Sequence, residues 1–118
     1  MIIVTPCPEG VAVTHPDMLS FTNQSPEEID GQIESGMIKD KVAGALALAW
    51  SKIRRYATVC LVSDGIDGET AGKLCFLHYD TADDALRDAL LRHGEDAKVL
   101  VLPAGGDILP MVEGEERK

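Results

Sequence analysis

Three short apolar runs constrain this chain more than any other feature: IIVT at residues 2–5, TVCLVS at 58–63 and VLVL at 99–102. They are rich in β-branched residues, and each stops at a turn former: Pro6, the Asp64-Gly65 pair and Pro103. Such runs are too short for helices, and their apolar residues are consecutive rather than alternating, the pattern of strands buried on both faces. Strands of that kind belong to parallel sheets, which need a crossover, usually a helix, between successive members.

The intervening segments supply those helices. Ser25-Pro26-Glu27-Glu28 has the S-x-x-E form of a capping box with proline at the first helical position, and Gly36 closes the short helix it starts. From Asp40, the residues Val42, Ala43, Leu46, Ala49, Trp50 and Ile53 recur at spacings of three and four. This predicts an amphipathic helix facing the core with those residues, and Lys52, Arg54 and Arg55 fall in its last turn, where the helix dipole favours them. Residues 69–74 predict a short helix and 75–79 (CFLHY) a strand. Thr81 caps another helix, with Ala85, Leu86, Ala89 and Leu90 on one face and Gly94 as its stop. Residues 108–112 offer a final edge strand, and 113–118 (EGEERK) an acidic, solvated tail. Strands alternating with helices predict one α/β domain over residues 1–112, a three-layer sandwich with a mainly parallel sheet of about four strands and helices on both faces.

Composition narrows the function. With 118 residues, 45% of them hydrophobic, the chain has room for one core and no second domain. A net charge of −9 opposes nucleic acid, since the one basic cluster is Lys52, Arg54 and Arg55. No apolar stretch approaches the ~20 residues of a membrane span, and MIIVTPCPEG lacks the basic and long apolar regions of a secretory signal. Cys7, Cys60 and Cys75 are odd in number and form no CxxC pair, which predicts neither a disulfide framework nor a zinc site and suits a cytoplasmic protein. Cys60 reads as a small buried hydrophobe.

No motif carries a self-contained catalytic set. DGETAGKL at 67–74 imitates a phosphate loop, but Asp67 stands where glycine is needed and Leu74 where the magnesium-binding hydroxyl belongs. His15, His78 and His93 lack the spacing that places two rings on one metal, and His93 suits a helix C-terminus. In a parallel sheet, ligands bind beyond the carboxyl ends of the strands. The loops there are 6–10, 64–68 and 104–107, each with glycine and a carboxylate, and all three are expected to converge on one edge. Asp64 and Asp67 read as turn formers rather than acids. His15, in a loop, is kept as a site candidate. Lys41 follows the N-cap Asp40, where a lysine opposes the helix dipole; it is either a solvated surface residue or, beside free helix N–H groups, a binder of small carboxylates.

Read together, IIVTPCPEG, DKVAGALALAWSKIRRYATVCLVSDG and DALLRHGEDAKVLVLPAGGDILPMV resemble, in order and spacing, the C-terminal domain of the nickel-dependent lactate racemase family. The resemblance spans residues 2 to about 112, and its most specific parts are CPEG (7–10), VSD (62–64) and LVLPAGGDILP (100–110). It implies a lid, or a split subunit, of an enzyme that inverts lactate-type 2-hydroxy acids by a hydride relay through a nickel-pincer nucleotide. The N-terminal domain of the family carries that cofactor, the proton-transferring histidines and most of the nickel environment. This chain therefore holds no catalytic residue and no metal or cofactor of its own, and its expected partner is that domain, on the same chain or on a separate subunit. A homo-oligomer is also allowed. The Met placed directly before a strand that lies mid-protein in the family implies an excised domain or a separate polypeptide.

The resemblance implies a substrate-contacting lysine, for which Lys41 is the best positional candidate; Glu9, Gly10 and His15 complete the expected substrate-binding set. Two departures stand out: VAVTHP follows Gly10 where the family continues with glycines, and DGIDG matches no role in the family. A non-enzymatic small-anion-binding or protein-interaction module of the same fold is the alternative reading. A receiver- or flavodoxin-like domain fits the architecture but lacks a phosphate loop and a paired acidic site.

Overall fold

A computed structural model describes residues 1–114 of the chain. It is an α/β fold with strands β1 (Ile2–Val4), β2 (Cys60–Val62) and β3 (Leu77–Tyr79), and helices α1 (Pro26–Glu34), α2 (Lys41–Tyr56), α3 (Gly68–Lys73) and α4 (Ala82–His93). Short 3-10 turns span Pro16–Ser20 and Gly105–Asp107. The strands form a parallel sheet in the order β1-β2-β3, with Ile3 beside Leu61 and Leu61 beside His78.

Local chemistry sets the element ends. Ser25 and Glu28 close a reciprocal capping box on α1. Asp40, Asp67 and Thr81 each cap their helix by accepting from main-chain N–H groups one turn in. At the far end of α2, Arg55 reaches Glu27 on α1 and Arg54 donates to the Thr22 carbonyl, so the basic cluster ties the helix to its neighbours as well as to its own dipole. Thr22, fully buried, donates in turn to the Lys73 carbonyl.

The core lies on one face of the sheet, where Val59, Leu61 and Phe76 meet Ile29, Ala43, Ala47, Ala71 and Leu74. Trp50 and Phe76 pack edge to face with ring centroids 5.0 Å apart. On the opposite face, Cys60 and Tyr79 lie under α4, where Asp88 accepts from the Tyr79 hydroxyl at 2.6 Å and Arg92 approaches Cys60 Sγ at 3.4 Å.

Four expectations change. Among the described residues the sheet has three strands, not four: residues 99–102 join no ladder, and Val99, Leu100 and Val101 are 57%, 70% and 74% exposed. Residues 108–112 are not a strand either, because Ile108, Leu109, Met111 and Val112 find no neighbours to cover them. The third strand starts at Leu77 rather than residue 75, because Cys75 turns with φ +59° and the Phe76 N–H is taken by the Ala71 carbonyl of α3. The face of α2 is also rotated from the expected one: Ala43, Gly44, Ala47 and Ser51 are buried, whereas Val42, Leu46 and Ile53 are exposed. The reason is close approach of α1, whose Ile33 would lie 3.1 Å from a Cβ on Gly44, so small residues make the contact. Residues 115–118, most of the expected tail, lie outside the described residues. No helix among the described residues is long and apolar enough to cross a membrane.

Candidate functional site

Two of the expected loops do meet at the carboxyl edge of β1 and β2. The Gly65 N–H donates to the Pro6 carbonyl at 3.0 Å, and the Ser63 hydroxyl to the same oxygen at 3.2 Å. Gly65 lies so close to the first loop that a Cβ there would stand 1.6 Å from the Cys7 carbonyl oxygen. The loop itself is a tight turn: Cys7 has φ +39°, Gly10 has φ +83°, and the Gly10 N–H returns to the Cys7 carbonyl at 2.9 Å. Glu9 stands exposed on this turn. The third loop does not join them. Residues 104–107 form their own 3-10 turn through Asp107 N–H to Ala104 O, and no hydrogen bond among the described residues ties them to the other two.

His15 pairs with Asp40, the residue directly before Lys41 in the chain. His15 Nδ1 lies 2.8 Å from Asp40 Oδ2, the carboxylate accepting, while Asp40 Oδ1 accepts from Val42 and Ala43 N–H at 3.1 Å each. One carboxylate thus caps α2 and orients an imidazole 25 residues distant in sequence. Lys41 follows directly and is exposed. Asp40 already occupies the Val42 and Ala43 N–H groups, so these are not the free helix N–H groups that the sequence suggested for an anion. Gly10 and His15 are five residues apart, so the turn and the dyad lie within about 18 Å of each other even for a fully extended connection.

Other sequence candidates have structural roles. Asp67 caps α3 by accepting from Thr70 N–H at 2.8 Å, and His78 Nε2 contacts the Ile66 carbonyl at 3.0 Å. Among the described residues no three His, Cys, Asp or Glu side chains converge where a metal ion would be held.

The Asp40 carboxyl is held below its ordinary 3.8, first by the His15 hydrogen bond and then by the Ala43 N–H; Asp67 is lowered chiefly by the Thr70 N–H. A lowered folded value means that the stability these groups contribute is complete above the unfolded value of about 4 and is lost as pH falls through the folded value. The Asp40→Asn/Asp67→Asn double variant is expected to show a smaller stability difference between about pH 7 and about pH 3 than the parent chain, measured by urea unfolding. An unchanged difference contradicts the assignment.

The fold and this edge define a small α/β domain with a His-Asp pair at a helix start and a glycine turn beyond the first strand. Scans of known protein families, of curated proteins and of solved structures found no match to the chain.

Proposed function

We propose that the chain is the substrate-side domain or split subunit of a nickel-pincer-dependent 2-hydroxy-acid racemase or epimerase, inactive alone, and that it holds the substrate carboxylate. The observation that carries the reading is the His15–Asp40 pair, which orients an imidazole at the start of α2, where the exposed Lys41 is the next residue. A 2-hydroxy acid offers a carboxylate for the ammonium and a hydroxyl for the ring. The cofactor belongs, in this reading, to the partner domain and supplies the hydride chemistry there, while this chain binds, orients and excludes water. Glu9 and Gly10 would border the same space from the β1 turn.

The exposed side of α2 supports a partner. Val42, Leu46, Ile53 and Tyr56 are 51%, 41%, 37% and 91% exposed, and they repeat along one side of the helix that begins at Lys41. Contiguous apolar surface of this kind marks contact sites in soluble proteins. The finer architecture, a three-layer sandwich with a fourth strand, and a cytoplasmic setting are parts of the same proposal.

Calorimetric titration of the chain with L-lactate tests the site. Binding is expected, weakened about tenfold or more by Lys41→Ala, a change of at least ~1.4 kcal/mol. No heat of binding, or binding indifferent to Lys41→Ala and His15→Ala, overturns the assignment.

A further inference from the structure

We infer that residues 99–102 are a strap that docks on the free edge of β1 as a fourth parallel strand of its own chain. The edge has the hydrogen-bonding groups to receive it. Cys60 N–H bonds to Met1 O at 2.8 Å and Thr5 N–H to Val62 O at 3.0 Å, so Met1 and Thr5 face β2. Alternate residues of a parallel strand serve opposite neighbours, and the N–H and C=O groups of Ile2 and Val4 therefore point to the other side. No strand among the described residues pairs there.

A groove of about 770 Å³ runs along that side. Ile2 and Val4 line one wall, Leu86 and Leu90 of α4 contribute another, and Val99 and Val101 already line the groove from across it. Connection rules point to the same occupant. The path from β1 to β2 to β3 moves in one direction, with α2 and α3 on the core face; α4 lies on the other face against all three strands. A right-handed return from β3 over that face arrives at the free edge of β1. Gly94, with φ +93°, ends α4, and residues 95–98 remain as a connector of the length that ordinarily joins a helix to a strand.

The exposed valines and leucines of the strap gain most from docking, since a parallel strand at this position is covered by α4. A second copy offers the same sequence, but a short tether gives the chain's own segment an effective concentration in the millimolar range, which favours the intramolecular strand. Docking also moves residues 103–107 to the carboxyl end of the new strand, beside the 6–10 turn. The strand order then reverses between β1 and the strap, where open α/β sheets take ligands. That last consequence rests on the proposed carboxylate site, whereas docking itself does not.

Amide hydrogen exchange on the full chain without ligand separates the two. The Val4 N–H and alternate amides within residues 99–102 are expected to exchange about 100-fold slower than in a free peptide, at a rate independent of protein concentration. In the Leu100→Pro/Val101→Pro variant one proline faces β1 in either register, and Val4 is expected to lose its protection while Ile3 and Leu61 keep theirs. Unprotected Val4 and strap amides in the parent chain overturn the inference, as does protection that grows with protein concentration, which assigns the edge to a second copy. A failed lactate titration would leave these rates unchanged.

Discussion

Replacing Gly65 by alanine is expected to destabilise the chain by about 4 kcal/mol, a loss at the extreme of single substitutions. The cause is steric and local. A Cβ would lie 1.6 Å from the Cys7 carbonyl oxygen and 2.7 Å from that of Pro6, and the Gly65 N–H is bonded to the latter. Both obstacles are main-chain atoms, so no rotamer change relieves them, and the β1 and β2 loops must separate. Urea unfolding should show a lower midpoint with an unchanged slope. A variant as stable as the parent would mean that the two loops do not meet as described.

The second large effect is expected at Ile29. It is fully buried at the interface of α1 with the core, and Ile29→Ala should cost about 2–5 kcal/mol through lost transfer energy and the cavity left behind. This helix matters to the site because α1 packs against α2, whose first turn carries Asp40 and Lys41. If the domain remains folded under mild conditions, lactate affinity should fall less in Ile29→Ala than in Lys41→Ala, since in the proposed site only the latter removes a group that meets the carboxylate. A cost below about 1 kcal/mol would show that the α1 interface is looser than its packing implies.

Much of this was readable in the sequence. Ser25, Asp40 and Thr81 announce helix starts because capping is a local event, settled within one turn. The apolar runs at residues 2–5 and 58–63 contain β1 and β2 because β-branched residues fit a buried ladder. The site was legible only in pieces. His15 and Lys41 could be singled out, one for its loop and one for opposing the dipole, but the contact of His15 with the Asp40 carboxylate bridges 25 residues of sequence, and no periodicity reports it. The rotated face of α2 was missed for a similar reason. Periodicity favours Val42, Leu46 and Ile53, yet proximity of Ile33 to Gly44 demands small residues, and this depends on the partner helix. Residues 99–102 have strand chemistry without a strand's hydrogen bonds, which their sequence has no means of declaring.

The central claim, that the chain supplies the substrate side of a 2-hydroxy-acid racemase, is tested most directly by reconstitution. The chain is mixed with the cofactor-loaded N-terminal domain of a nickel-pincer lactate racemase, and interconversion of L- and D-lactate is followed by chiral chromatography. The account predicts no racemisation by this chain alone, racemisation in the mixture above that of the N-terminal domain by itself, and loss of that gain with Lys41→Ala. No association between the two and no added activity would contradict it.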